Sequence, residues 1–360
     1  MELFVTARCN LHCPYCFVRN KRDRDMSWET ATSALDYFLR ECGQAQHLTI
    51  LFFGGEPMLR MDFIKEFVPY ALDRVGQTGK SLSFDMTTNG TLLDVDSARF
   101  FARYKIKYLL SIDGLKEDHD RYRSFSDGSG SWDLIVNLLP MLKRYQPWQG
   151  ARMTPSPESS SRIVDGVKVL YERGINQFII GSAHGMHWPP ESIRAYFEQM
   201  QALSDLYIDM KLENKPFRLT IFERGNLEEE ADKYMNMWGC GAGRGRLCVN
   251  FDGTLYGCSK LMTITGDNTG LLPLGSLQEG WTNALNRSVL NDASLRYRIK
   301  CRDCKLGNEC VGGCPAINWE ETGHVLMCGP YHRAFTALYQ KLGDYFYNRW
   351  IEKTGKPPPQ

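Results

Sequence analysis

The sequence predicts an α/β protein: a partial, TIM-like (β/α)6 barrel, followed by a small cysteine-rich domain with a β-hairpin and a helical tail. Three observations carry this expectation. From Glu2 to about Ile221, short apolar runs alternate with helix-length amphipathic segments, the pattern of parallel strands wrapped by helices. Six such units fall short of the eight that close a barrel, so the barrel is partial. After Phe222 a charged stretch, "ERGNLEEEADK", leads into a region rich in Gly and Cys and poor in periodic pattern, as expected where metal replaces core packing.

The expected strands are the runs "ELFVTA", "HLTILFF", "SLSFDMTT", "IKYLLSID", "GARMT" and "NQFIIG". Between and after them, helices are expected over Trp28–Glu41, Phe63–Val75, Asp94–Tyr104, Trp132–Tyr145, Ile163–Arg173 and Pro190–Lys211. Ser27 is a suitable N-cap for the first helix, and Gly43 follows its end. Further on, "RLCVNF-DG-TLYGC" has the form of a β-hairpin with Asp252-Gly253 as a two-residue turn. A mostly helical tail is expected after Cys328. The domains are set at residues 1–225, 226–345 and 346–360, with the main boundary near 223–239.

Composition excludes several classes. The chain has 360 residues, 43% of them hydrophobic, and a formal net charge of +1. No global field points to nucleic acid or an acidic membrane. No apolar run approaches the ~20 residues of a membrane helix, and cysteines begin where a signal peptide's apolar region would lie. A cytoplasmic protein is expected. Its unusual feature is twelve cysteines: Cys9, Cys13 and Cys16, then Cys42, then eight from Cys240 to Cys328. In a reducing compartment, clustered thiols at short fixed spacings point to metal rather than to disulfides. Cys42, at a helix end, reads as buried packing.

The distinctive motifs follow successive strands. "CNLHCPYC" follows the first, "GGEP" (Gly54–Pro57) the second, "TTNG" (Thr87–Gly90) the third and "SIDG" (Ser111–Gly114) the fourth. Singly each can be a turn. Loops after parallel strands open on one face, which carries the active site, so together they read as one site. Three thiolates can hold a four-iron cube and leave one iron open for another ligand. Zinc would need a fourth ligand; His12 is the local candidate, on a tight loop.

The Cys-x3-Cys-x2-Cys spacing of Cys9, Cys13 and Cys16 after a first strand, with an aromatic before the last cysteine, resembles the radical S-adenosylmethionine (radical SAM) superfamily. The resemblance implies that the open iron chelates the methionine amino and carboxylate groups of S-adenosylmethionine. Reductive cleavage then gives a 5′-deoxyadenosyl radical that takes a hydrogen atom from substrate. Gly54 and Gly55 of "GGEP" would let backbone approach the methionine moiety, and Glu56 would accept from its ammonium group. Ser111 and Arg123 (of "HDRYR") match positions that contact ribose and carboxylate, and Tyr15 is placed to offer backbone atoms to the adenine. The residues alone leave open a solvated surface role for Arg123.

Farther along, Cys240, Cys258, Cys301, Cys304, Cys310, Cys314 and Cys328 are similar in spacing to the seven-cysteine signature of the SPASM extension. By that similarity, Cys240, Cys248, Cys258 and Cys314 would hold one auxiliary [4Fe–4S] cluster, and Cys301, Cys304, Cys310 and Cys328 a second. Three clusters are therefore expected in all. Cys248 remains open between ligand, core thiol and hydrogen-atom donor, and a zinc ribbon is the competing account of the region.

Enzymes of this architecture mostly modify peptides or proteins. They include anaerobic sulfatase maturases, which make formylglycine, and maturases of ribosomal peptides, which install thioether, carbon–carbon or carbon–oxygen crosslinks. Sulfatase maturases place an aspartate directly after the cysteine ending the Gly-x4-Cys segment; here Ser259 and Lys260 follow Cys258. Peptide crosslinking is therefore the first expectation, formylglycine formation the alternative, and a non-catalytic iron–sulfur electron carrier a third reading. No general base is named. Expected partners are a precursor peptide or protein, a flavodoxin- or ferredoxin-type electron donor, and a separate leader-binding protein, since only eight residues precede Cys9. The run "RNKRDR" (Arg19–Arg24) could dock the donor or be a solvated loop. "HGMHWPPES" (His184–Ser192) could touch substrate or be a capped loop entering a helix.

Overall fold

The computed structural model describes residues 1–19, 21–223, 241–243, 246–265, 270–291, 304–306, 310 and 312–358. The architecture is mixed α/β, partial TIM-like, built on parallel strands with a cysteine-rich C-terminal region. The chain packs as two compact units. One comprises residues 1–110, 144–146 and 241–292; the other comprises 111–143, 147–240 and 293–360.

The first unit contains β1 (Glu2–Thr6), α1 (Trp28–Glu41), β2 (His47–Gly54), α2 (Met61–Gly76), β3 (Ser81–Thr88), α3 (Val95–Tyr104) and β4 (Lys107–Ser111). It also takes in β8 (Cys248–Val249), β9 (Thr254–Tyr256), α8 (Ser259–Thr263), β10 (Gly275–Ser276) and α9 (Ala284–Asn291). Its strands run in the order β10-β9-β8-β1-β2-β3-β4. β1 pairs in parallel with both β2 and β8, while β8, β9 and β10 pair antiparallel. Leu3 to Thr6 are all buried, as expected for a central parallel strand covered on both faces. β2 and β3 instead alternate: Ile50, Phe52, Phe84 and Met86 face the core, with the Phe52 and Phe84 rings stacked 5.5 Å apart. Ser27 caps α1 by accepting from the Thr30 N–H at 3.1 Å, as expected.

The second unit contains α4 (Lys116–Asp120), α5 (Trp132–Tyr145), β5 (Gly150–Met153), α6 (Ile163–Glu172), β6 (Gln177–Ile180), α7 (Pro190–Leu212) and β7 (Arg218–Leu219). It ends with α10 (Pro315–Thr322) and α11 (Pro330–Thr354). β5, β6 and β7 are parallel neighbours. α11 lies along α7, burying Phe335, Leu338 and Leu342, with ion pairs from Arg349 to Asp205 (2.8 Å) and Lys353 to Asp209 (2.5 Å). Gly114 and Gly166 touch through their backbones: a Cβ on Gly114 would stand 2.4 Å from the Gly166 Cα. No helix among the described residues is long and apolar enough to cross a membrane.

Three expectations need correction. The hairpin turn is longer than two residues. Asn250 donates to the Thr254 carbonyl and Gly253 back to Asn250, so the loop is Phe251 to Gly253, with Gly253 at φ +84°, where a side chain would be strained. The hairpin packs with the N-terminal strands because β8 adds beside β1. α11 runs unbroken through the boundary set at 345, and the main boundary at 223–239 lies mostly outside the described residues.

Candidate functional site

The cysteine loop springs from β1 and is closed at its base. Ala7 donates to the Arg24 carbonyl at 2.8 Å and Met26 to the Val5 carbonyl at 2.9 Å. Asp25 accepts from the Thr6 hydroxyl (2.5 Å) and pairs with Arg8 (2.5 Å). Arg60 adds hydrogen bonds to the Val5 and Met26 carbonyls. The basic run is thus partly structural: Lys21 caps the Leu11 carbonyl at 2.5 Å, while Arg22 and Arg24 stay exposed. Cys9, Cys13 and Cys16 are half-buried, as is Tyr15, and His12 is exposed. The Leu11 N–H points at Cys9 Sγ at 3.4 Å. Burial pushes the Cys9 thiol up, against the Leu11 N–H and the Lys21 ammonium.

The "GGEP" segment is fitted onto this loop. Gly55 donates to the Thr6 carbonyl (2.9 Å) and Glu56 to the Arg8 carbonyl (2.8 Å). A Cβ on Gly54 would stand 2.2 Å from the Thr6 oxygen, and one on Gly55 2.2 Å from the Arg8 oxygen. Within the protein, the close backbone approach these glycines allow is therefore to the exit of β1. Glu56 is 1% exposed. Its carboxylate accepts from the Thr88 hydroxyl (2.7 Å), the Asn89 N–H (2.7 Å) and the Met58 N–H (3.0 Å). Burial raises its pKa to about 7 despite these donors. No Lys or Arg pairs with it among the described residues.

Asn89, from "TTNG", joins this carboxylate to the cysteine loop. Its Nδ2 donates to Asn10 Oδ1 (2.8 Å), and Asn10 Nδ2 donates to Thr91 Oγ1 (2.8 Å). Asn10 lies inside the Cys9-x3-Cys13 spacing. Sequence reasoning missed Asn10, Thr88 and Thr91; the only signal was the turn character of "TTNG".

In the second unit, Ser111 is half-buried at the end of β4. Arg123 is not a surface residue: it is 7% exposed. Its Nε and Nη2 bond the two Asp113 carboxylate oxygens at 2.6 and 3.3 Å. Burial alone would raise the Asp113 pKa, but Arg123 and the Thr154 N–H (2.6 Å) hold it below the usual value. His119, fully buried, accepts at Nδ1 from the Asp113 N–H (3.1 Å) and meets Ser131 Oγ at Nε2 (2.8 Å). Ser131 gives its own proton to the Arg123 carbonyl (2.6 Å). The ring is therefore neutral with the proton on Nε2, and burial lowers its pKa to about 4.

The second cysteine group is described in part; Cys240 and Cys301 lie outside the described residues. Cys258, Cys304, Cys310, Cys314 and Cys328 are half-buried. Three sulfurs accept N–H donors: Cys258 from Leu261 (3.4 Å), Cys310 from Gly312 (3.4 Å) and Cys328 from Arg333 Nε (3.5 Å). Such bonds suit thiolates that share charge with iron, so Cys258, Cys310 and Cys328 fit cluster ligands. Cys248 differs. It is fully buried among Phe4, Ala7, Val18, Tyr256 and Met262, with its sulfur 4.0 Å from Met262 Sδ, and burial pushes its thiol well above the usual range.

Of the remaining candidates, Cys42 is half-buried rather than buried, its thiol donating to the Leu39 carbonyl at the end of α1. The "HGMHWPPES" loop is pinned by Trp188, which is buried, donates to the Ala183 carbonyl (2.9 Å) and packs on Phe335. Pro189 occupies the α7 N-cap without a side-chain cap. Ser259, after Cys258, is buried and donates its N–H to Glu2 (2.8 Å). Among the described residues no three His, Cys, Asp or Glu side chains gather as a single metal ion would require.

A cysteine trio after β1, with a buried carboxylate linked to its loop through Asn89, defines a class. Residues 3–150 match the family model of the Radical SAM superfamily, and along its whole length the chain is similar to radical SAM maturases. It resembles the anaerobic sulfatase-maturating enzymes. The cysteine-type enzyme of Clostridium novyi is 24% identical over 330 residues, 86% of this chain and 86% of the relative. The structure of native anSMEcpe with bound AdoMet superposes with a TM-score of 0.78 at 20% identity, covering 98% of this chain and 99% of that one. Streptococcus suis SuiB bound to precursor peptide SuiA gives 0.57 at 16% identity over 91% of this chain and 73% of that one. The likenesses to solved structures establish the fold.

Proposed function

We propose that this enzyme takes a hydrogen atom from a peptide or protein side chain, and that the product is a thioether, carbon–carbon or carbon–oxygen crosslink. The observation that carries the cofactor reading is Glu56: a buried carboxylate with three hydrogen-bond donors and no cation, which suits an ammonium group. Cys9, Cys13 and Cys16 would hold a [4Fe–4S] cluster with one open iron. Gly54 and Gly55 would border the methionine moiety of S-adenosylmethionine, whose ammonium Glu56 would take. By the family resemblance, Ser111 and Arg123 contact ribose and carboxylate, and Tyr15 offers backbone atoms to adenine. Bound together, cluster and S-adenosylmethionine supply the 5′-deoxyadenosyl radical. The chain's own residues position it: Asn89 and Asn10 fix the cysteine loop, and the Asp113 pair orients Arg123.

Cys240, Cys258 and Cys314 are assigned to one auxiliary cluster, and Cys301, Cys304, Cys310 and Cys328 to the other. Cys248, expected as the eighth ligand, sits in an apolar cluster that favours packing, while Cys258 within its electrostatic reach favours ligation; the iron content of Cys248→Ala decides between the two. With Cys248 as packing, the first auxiliary cluster would keep a position for another ligand, the substrate included. The exposed Arg22 and Arg24 offer a basic patch to an acidic flavodoxin or ferredoxin, and a separate leader-binding protein fits a ribosomal precursor.

Formylglycine formation is the second reading, favoured by the sulfatase-maturating relatives. Against it stands the buried Ser259 where those enzymes place an aspartate. The deciding experiment incubates reconstituted enzyme anaerobically with S-adenosylmethionine, dithionite and either a precursor peptide encoded beside its gene or a sulfatase peptide. Loss of two hydrogens from the precursor supports crosslinking. Conversion of the sulfatase peptide alone to an aldehyde product establishes the second reading.

A further inference from the structure

Arg152, next to last in β5, makes no ion pair among the described residues. Its guanidinium lies against Gly181, just beyond β6: a Cβ there would stand 3.0 Å from Nη2 and 3.5 Å from Cζ. The missing side chain at 181 makes room for it. Tyr339 of α11, Tyr196 of α7 and the Asp113–Arg123 pair lie within electrostatic reach, and burial lowers the arginine's pKa. The two phenols bond each other at 2.9 Å, and the Tyr331 phenol bonds Ser182 at 2.5 Å. Asp113 is already engaged by Arg123. Among the described residues, no hydrogen-bond acceptor or carboxylate takes any of the five N–H donors of Arg152.

Arg152 is half-buried, and none of its nitrogens is a sealed, unpartnered donor; a guanidinium partly withdrawn from water still favours an anion as its partner. Asp113, Thr154 and Ser182 follow the ends of β4, β5 and β6, the strand ends where parallel α/β proteins hold ligands. The planar fork of Arg152 matches a carboxylate in two-point contact. The ring bodies of Tyr196 and Tyr331, within electrostatic reach of it and packed on Phe335, suit an amino-acid side chain more than a hydrated phosphate.

We propose that Arg152 anchors a carboxylate of the peptide substrate, so that the enzyme selects peptides carrying an acidic group near the residue it modifies. This rests on the peptide-substrate reading. The carboxylate is an Asp or Glu side chain or a free C-terminus.

The test uses the reconstituted enzyme with S-adenosylmethionine bound, under anaerobic conditions, and fluorescein-labelled hexapeptide pools free of other acidic residues. One pool has a fixed Glu and an amidated end, one a fixed Gln and an amidated end, and one a fixed Gln and a free acid end. Anisotropy should show at least one acid-bearing pool binding about tenfold or more tighter than the neutral pool; which one identifies the carboxylate. Arg152→Met should abolish the difference, Arg152→Lys should restore part of it, and S-adenosylmethionine affinity should stay within twofold. If the Met variant melts early, Arg152→Gln replaces it. Equal binding of all pools overturns the anchor and leaves the peptide reading standing. Binding of none overturns both. Loss of S-adenosylmethionine affinity with unchanged pool preference assigns the arginine to the cofactor and overturns the proposal.

Discussion

Glu56 and Asn89 are bonded directly, the Asn89 N–H donating to Glu56 Oε2 at 2.7 Å, while the Asn89 side chain holds Asn10 at 2.8 Å. One residue thus reaches both the buried carboxylate and the cysteine loop. Asn89→Ala keeps the first bond and removes the second, leaving the Asn10 amide without this partner. A cost of about 1–3 kcal/mol is expected, together with less iron bound per chain after reconstitution. Thermal melting and iron analysis check the two effects separately; full iron loading would show that the link does not position the loop.

Glu56 makes stability pH-dependent in an unusual direction. Burial lifts its pKa from 4.5 to about 7, so the folded chain holds a proton that the unfolded chain releases. Stability of the iron-free protein is therefore greatest below pH 4.5 and falls as pH rises through 7, by about 3 kcal/mol from a shift of this size. Glu56→Gln should remove that fall. It should also weaken S-adenosylmethionine binding, most at high pH, where the native carboxylate is charged. Urea midpoints and equilibrium dialysis from pH 5 to 8 measure both.

His119 pulls the other way. Its pKa falls from 6.5 to about 4, so its contribution is complete above pH 6.5 and is lost as pH drops toward 4. The opposing contributions of Glu56 and His119 mask each other in the wild-type curve over the shared window. Variants at each position are needed to expose them. Nitrogen NMR should show a neutral imidazole with its proton on Nε2 throughout pH 5–8; a ring that titrates near 6.5 would refute the buried, tautomer-locked arrangement.

Arg123→Met leaves Asp113 buried without its main cation, and a loss of about 3–5 kcal/mol is expected. The double change with Asp113→Asn should recover part of it. Arg123→Lys keeps the charge but not the two-point contact and should fall between. Chemical denaturation measures the series, and 5′-deoxyadenosine formation shows whether cofactor cleavage falls further than stability alone requires.

Cys248→Ala should leave the iron content of the reconstituted enzyme unchanged and cost about 1 kcal/mol in packing. Cys258→Ala should lose about four irons. Equal losses from both variants would make Cys248 a ligand after all.

Most of the fold was legible because its signals are local. The six runs and helix-length segments lie within a few residues of β1 to β6 and their helices, since period-2 and period-3.6 burial leave direct marks on sequence. β8 was not assigned beside β1, because its two residues join a strand more than two hundred positions away and carry no periodicity. α4 (Lys116–Asp120), five polar residues, offers no apolar stripe to read. Glu56 and Arg123 stood out by motif, but their burial did not, because it depends on Thr88, Asn89, Asp113 and Thr154. Cysteine counting suggests eight ligands, but it carries no sign that Cys248 sits among Phe4, Val18 and Met262 with Cys258 in electrostatic reach.

The loop carrying Cys9, Cys13 and Cys16 is tied at its neck by Ala7–Arg24, Val5–Met26 and Asp25, all of them bonds between protein atoms. The frame that presents the thiols is therefore expected to stand without iron, so that loading the proposed cluster would need only iron and sulfide brought to a folded loop.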